Sequence, residues 1–236
     1  MIKKDSQKTK KIKKFILPVF FFLLAMLILA LVLVAHKPAQ YAPLKVADKN
    51  LISPYLPHQI LPTLYNNSQL DKPFELVITQ EGLNDVIARL PQPIVLNNIN
   101  LIGPQVILTP MQITLMATVK AKPLNPVLTI ELNPFINKQG LLILCVNRVM
   151  LGDIGITGIT MSRGKKAYSN WLSSTGTDPN DLAARVCRSL LDNEPFEPTF
   201  EAGDRTLRIS KIDMASKKIT ILLTPVPEQP QSAIKH

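Results

Sequence analysis

Apolar residues run without a charge from Phe15 to Ala35, FILPVFFFLLAMLILALVLVA. As a helix rising ~1.5 Å per residue the stretch is ~31 Å long, close to the ~30 Å hydrocarbon thickness of a bilayer. Pro18 falls in the first turn, where its missing N–H costs little. Lys3, Lys4, Lys8, Lys10, Lys11, Lys13 and Lys14 precede the run against Asp5 alone, and only His36 and Lys37 follow it closely. An excess of lysine beside a membrane helix stays cytoplasmic. The pattern therefore predicts a cytoplasmic basic tail over 1–14, a transmembrane helix over 15–35 and the bulk of the chain on the extracytoplasmic side of the cell membrane. A cleaved signal peptide fits less well, because such peptides have apolar cores of ~7–15 residues and small residues before the cut. Here the bulky Leu33 stands two residues before Ala35, and no lipobox cysteine follows.

Residues 36–73 read as a proline-rich spacer, with Pro38, Pro43, Pro54, Pro57, Pro62 and Pro73. Proline at this density favours extended chain and forbids long helices. Leu56, Ile60, Leu61, Leu64 and Tyr65 are too apolar to float, so part of the spacer is expected to dock on the domain or lie near the bilayer surface.

From Phe74 the period changes. Phe74, Leu76 and Ile78 alternate with Glu75 and Val77, a strand pattern. Thr79 then reads as a helix N-cap, with Glu81 in the first turn, an apolar stripe of Leu83, Val86, Ile87 and Leu90, and Pro91 as the stop. Strands are expected over 94–102, with 105–109 continuing it after Gly103-Pro104, and then over 111–121, 127–132 and 141–150. Asn137-Lys-Gln-Gly140 is the turn before the last of these. Spacings this short suit antiparallel hairpins. Helices are expected over 165–174, closed by Gly176, and over 179–191, with Asp178 as cap and Pro179 at the first position. Strands return over 195–201, 205–214 and 217–224. The folded domain is thus 74–224, and 225–236 reads as a disordered tail.

Charge adds less than it suggests. The net charge is +10, but residues 1–14 carry six of those charges. The basicity is mostly a topology signal, and an exported domain does not meet nucleic acid. The two cysteines, Cys145 and Cys187, could pair outside the cytoplasm or remain buried thiols. Catalytic chemistry finds no footing. The histidines are His36, His58 and His236, none within the predicted core, so no Ser–His or Cys–His set has a base. No zinc-type spacing, dinucleotide loop or phosphate loop occurs, and no cofactor is implied. Ser162 and Lys165 fit the serine–lysine pattern of penicillin-binding proteins, but the companion K-T-G is absent. Ser162 as a helix N-cap and solvated lysines explain the match, so the chain is read as a non-enzyme.

The unusual feature lies in the strands. Leu141 to Val146 is apolar on both faces, whereas a sheet in a small exported domain normally keeps one face wet. A central strand of this kind needs two covers. Helices supply one, and either a second protein layer or an apolar ligand supplies the other.

The order of elements, with "LVITQEGLNDVIARL" (Leu76 to Leu90) and "GLLILCVNRVMLGDIGIT" (Gly140 to Thr157) set behind a single anchor, resembles the YpmS-like and LmeA-like bacterial envelope proteins. That resemblance spans about 74–224 and implies a lipid-binding fold in which a curved antiparallel sheet wraps a helix around an apolar groove. The expected class is α+β: one N-terminal transmembrane helix, then a curved antiparallel sheet packed on two or three helices. The expected groove residues are Leu115, Val119, Ile130, Leu142 and Leu144. The expected partners are the bilayer and a phospholipid or acyl chain. The alternative is a non-enzymatic, membrane-tethered scaffold for an envelope protein complex.

Overall fold

The computed structural model describes residues 5–46, 52–96 and 99–227. The first helix, α1, spans Asp5–Ala35. Its Pro18–Ala35 part is, among the described residues, the one helix long and apolar enough to cross a membrane, and none of it is buried in the protein. An anchor and a signal sequence both satisfy that description. The helix reaches back to Asp5, into the predicted basic tail, because lysine and glutamine are good helix formers and a helix once nucleated propagates.

Beyond α1 the chain is α+β, and the ten strands among the described residues form two open antiparallel sheets. The proline-rich stretch carries one π-helical turn, Leu56–Ile60, and α2, Leu61–Ser68. Then come β1 (Phe74–Thr79) and α3 (Gln80–Ala88), with the Thr79 hydroxyl accepting from Gly82 N at 3.1 Å as the predicted cap. The hairpins follow: β2 (Ile94–Leu96), β3 (Ile99–Leu108), β4 (Ile113–Val119), β5 (Val127–Ile136), β6 (Leu142–Leu151) and β7 (Ile154–Gly155). After them lie α4 (Thr157–Thr175), α5 (Leu182–Asp192), β8 (Thr199–Ala202), β9 (Arg205–Ala215) and β10 (Lys218–Pro225). The six-stranded sheet is β2 to β7 in chain order, and the four-stranded sheet has the order β1-β10-β9-β8.

Several boundaries move for identifiable reasons. The strand expected over 94–102 is two strands, β2 and β3, and residues 97–98 of it lie outside the described residues. The strand β3 passes through Gly103-Pro104 because Gly103 takes φ +60° and the register shifts there as a bulge. Helix α4 begins at Thr157, so Ser162 lies inside it and is not its cap. Helix α5 starts at Leu182 under an Asp181 cap rather than at Pro179. Asp178 instead accepts from Asn180 N in a local turn, which consumes the residues expected to open the helix. Residues 228–236 of the expected tail lie outside the described residues.

The core forms where one face of each sheet meets α3. Val106, Leu108, Ile113 and Leu115 of the six-stranded sheet pack with Leu83 and Ile87 of α3 and with Ile212, Met214, Ile219 and Ile221 of the four-stranded sheet. A second cluster, Leu76, Leu207 and Leu223, sits under Ile60 and Leu64 of the proline-rich stretch.

Candidate functional site

Alternation along β4 puts Ile113, Leu115, Ala117 and Val119 on one face of the six-stranded sheet. The register sets Leu132, Ile130 and Leu128 of β5 beside the first three, and Leu108, Val106 and Leu101 of β3 beside Ile113, Leu115 and Val119. One half of this face, around Leu108 and Ile113, is filled by the core. The other half is not. A cavity of about 300 Å³ opens there, floored by Leu101, Leu115, Ala117, Leu128 and Ile130 and walled by Ile87, Leu90 and Ile94. Pro104, Gln105, Val106 and Met116 complete it. Among the described residues Gln105 supplies its only polar side chain, and that side chain is committed elsewhere, as described below. A methylene is close in size to a water's ~30 Å³ share of liquid, so the space takes roughly ten methylenes.

Helix α3 is held over the cavity by side chains that satisfy the free edge of β3. Asn84 Nδ2 donates to Val106 O at 2.8 Å, and Asn84 Oδ1 accepts from Val106 N at 2.7 Å. Gln80 Oε1 accepts from Leu108 N at 2.8 Å, and Gln92 Oε1 from Gly103 N at 3.1 Å. Unpaired strand edges are otherwise sticky, and a helix lying along one removes that hazard. The proline-rich stretch braces the outer side of α3. The Ser53 hydroxyl donates to Asp85 Oδ2, and Tyr55 Oη accepts from Thr79 N at 2.8 Å. The Tyr55 ring lies so close to Gly82 that no side chain fits there. Asp85 also takes two donors from Arg89, at 2.9 and 3.1 Å. The Arg89 and Ser53 hydrogen bonds hold the Asp85 carboxyl below the ordinary aspartate value.

The end of α1 is tied to the same end of the six-stranded sheet. Asp153 N, in the β6–β7 turn, donates to Leu33 O at 2.9 Å, and His36 Nδ1 lies 2.9 Å from Asp153 Oδ1. Gly152 N donates to Val127 O, next to Leu128 of the cavity floor. With strands ~4.8 Å apart, the floor at Leu128, Ala117 and Leu101 therefore begins one to three strands, ~5–15 Å, from the end of α1.

From Ala35 the chain runs as a strap over the opposite face of the sheet. Tyr41 Oη donates to Gly103 O at 2.7 Å and so accepts from Thr118 Oγ1 at 2.9 Å. Ala42 N donates to Gln105 Oε1 at 2.7 Å, while Gln105 Nε2 donates to Gln40 O at 3.1 Å. Under the strap lies a second cavity of about 450 Å³, lined by Lys37, Tyr41, Pro43 to Val46, Ala88, Gln92, Ile102, Gly103 and Thr118. Lys37 and Lys45 are its charged residues.

The five residues expected to line a groove share one face of the sheet by register. Leu115 and Ile130 line the 300 Å³ cavity; Val119 lies beyond its floor toward α1. Leu142 and Leu144 are at the far end of β6, where Leu142 pairs with Phe196 and Leu144 N donates to Ser189 Oγ of α5. The strand β6 is not central, as its double apolarity suggested. It is next to the sheet's edge, and α5 covers its open side. Ile87, Leu90, Ile94, Leu101 and Ala117 were not singled out from sequence. The α3 stripe named Ile87 and Leu90 as helix core, but nothing local shows that their half of the stripe is left unfilled.

Ser162 and Lys165 do not face the cavity. Lys165 pairs with Asp192 on the surface. Cys145 and Cys187 are free thiols, and burial pushes the Cys187 thiol up, away from reactivity. Among the described residues no three His, Cys, Asp or Glu side chains converge as metal ligands. Comparison with protein-family models, with curated proteins and with solved structures finds no match to this chain.

Proposed function

We propose that this chain is a single-pass envelope protein, N-terminus cytoplasmic, whose extracytoplasmic domain holds the acyl chain of a phospholipid without catalysis. The observation that carries the reading is the half-filled face. The same apolar surface that is packed solid around Leu108 is left open around Ala117, beside the end of α1, whose length and composition suit a bilayer. Ten methylenes buried there contribute roughly 8 kcal/mol gross, at ~0.8 kcal/mol each, before the cost of association. Ile99, exposed on the same face of β3 as Leu101, extends the apolar track for a longer chain.

The test uses the full chain in vesicles with a phospholipid carrying a photoreactive diazirine in its acyl tail. Peptide mapping is expected to find label on β4 and β5 around Leu115, Ala117 and Ile130 as well as on α1. Ala117→Trp places an indole on the cavity floor and is expected to remove the sheet label and leave the α1 label. Label confined to α1 in the unmodified chain overturns the reading.

A second reading, a tethered scaffold for a protein complex, is favoured by one observation. Leu61, Tyr65 and Leu70 are exposed on and beside α2, and Leu61 and Tyr65 line an apolar depression with Ala202 and Gly203. Crosslinking that recovers a defined protein on α2, with no lipid label on β4 and β5, selects it.

A further inference from the structure

We propose that the cavity under the strap is the headgroup site for the lipid whose tail fills the groove, and that it selects an anionic phospholipid. The inference rests on the acyl-chain reading above and names its ligand class. Three features of the molecule converge on it.

The first is adjacency. The two cavities flank the same C-terminal end of α3 and the same bulge of β3. Ala88 and Gln92 line one, and Ile87 and Leu90 the other; Ile102 and Gly103 line one, and Leu101 and Pro104 the other. The strap cavity and the groove lie on opposite faces of the sheet and both reach the β3 edge at Gly103-Pro104, so a lipid seated in both passes around that edge.

The second is charge. Lys37 and Lys45 lie in the wall of the strap cavity, and among the described residues no carboxylate lines it. Among the described residues neither lysine has an ion pair or side-chain hydrogen bond, unlike Lys165 and Lys211, which are held by Asp192 and Asp213. Lys120 and Lys122, in the turn after β4, add positive charge at the same end of the sheet. Gln92 and Thr118 line the same wall, but their polar groups are already engaged by Gly103 N and Tyr41 Oη. The unspent recognition capacity is therefore cationic, which suits a phosphate bearing no compensating ammonium.

The third is depth. Lys37 follows the last residue of α1 by two positions, where a chain leaving the hydrocarbon meets the headgroups. An ammonium there lies at phosphate level without moving the domain.

The experiment extends the labelling assay. The full chain is placed in phosphatidylcholine vesicles holding a minority of phosphatidylglycerol. The diazirine-tailed probe is phosphatidylglycerol in one arm and phosphatidylcholine in the other. Two lysines near headgroup charge give an expected preference of roughly thirtyfold for the anionic probe on β4 and β5 peptides. Lys37→Gln/Lys45→Gln is expected to bring the ratio near one, and Lys37→Arg/Lys45→Arg to retain it. The charge-matched control Lys138→Gln/Lys166→Gln, remote from both cavities, is expected to keep the preference. Thermal unfolding of each variant confirms an intact fold, and the arginine pair guards against a Gln variant that fails to fold. Inorganic phosphate is added as a competitor in a third arm.

Equal labelling by the two probes in the unmodified chain overturns the headgroup site and leaves the acyl groove standing. A preference that survives the Gln pair, or that falls equally in the control pair, also overturns it, because bulk surface charge then explains the effect. Loss of the preference in inorganic phosphate shows that the pocket takes a free anion and overturns the lipid headgroup as its occupant. Absence of sheet labelling by either probe removes both readings together.

Discussion

Replacing Gly152 by alanine puts a methyl group where the end of α1 meets the domain. The Cβ would stand 2.3 Å from Leu33 O and 2.4 Å from Val34 O, and both obstacles are backbone. Neither can rotate away as a side chain can, so either α1 or the β6–β7 turn must move. Gly152 also has φ +59°, which costs an L-residue about 1–2 kcal/mol. Displacing α1 removes the Asp153 N to Leu33 O bond, worth about 1 kcal/mol. The His36–Asp153 contact adds little, since both side chains are about half exposed. The sum is a loss of roughly 2–3 kcal/mol, or a fall in melting temperature of about 4–12 °C for a chain of this size. The distinguishing readout is hydrogen exchange. The Asp153 amide, protected by Leu33 O in the unmodified chain, is expected to exchange at least tenfold faster, while core amides such as Leu207 and Ile219 shift only with global stability. A Gly152→Ala chain in detergent whose Asp153 amide keeps its protection refutes the claim that α1 is seated on this turn.

Three other substitutions probe the brace on α3. Gly82→Ala drives a Cβ to 2.3 Å from the Tyr55 ring, so the ring must leave and Thr79 N loses its acceptor; a loss of about 2–3 kcal/mol is expected. In a denaturant cycle Gly82→Ala and Tyr55→Ala should be strongly non-additive, and additivity would show that the ring does not rest there. Asp85 has a folded pKa below its ordinary 3.8, so its contribution is complete above that value and is lost as pH falls through the lower, folded value. Asp85→Asn is therefore expected to be less stable at pH 7 and to approach the unmodified chain as pH drops below about 4. Urea titrations across that range check it, and a gap that stays constant into acid refutes the assigned partners.

The elements that carry their own pattern were legible. The charge-free run gave α1, Thr79 gave the cap of α3, and the period of two gave most of the strands in their order, but not β7 and not their division into two sheets. What failed was whatever depends on a distant partner. Asp178-Pro179 satisfies every local rule for opening a helix, yet the turn at Asn180 takes the cap. The strand at 94–102 hides a break because both halves are apolar. Residues 36–73 read as spacer because proline suppresses periodicity, and no local rule shows that Tyr41 reaches Gly103 or Tyr55 reaches Gly82. The glycines at 82, 103 and 152 were the available signal, since each marks a close approach by another part of the chain.

The location of the groove illustrates the same division. An apolar strand face is compatible with a packed core, a covering helix or a ligand, and sequence alone ranks these by how unusual the strand looks. That criterion selected β6, whose excess apolarity is accounted for by α5 along its open edge and by Phe196 across Leu142. The unfilled face belongs to β4, which alternates in the ordinary way. Its distinguishing residue is the small one: Ala117 stands where its neighbours on that face, Leu115 and Leu128, are large. A small side chain in the middle of a covered apolar face leaves space that α3 does not fill. Because the strap, the α1 contact and the α3 brace all bear on the strands around Ala117, a movement of α1 is expected to reach both cavities. The coupling predicts that Gly152→Ala, which touches neither cavity wall, also weakens acyl labelling of β4. Labelling that is unchanged while Asp153 loses its protection would mean that the groove is built independently of α1.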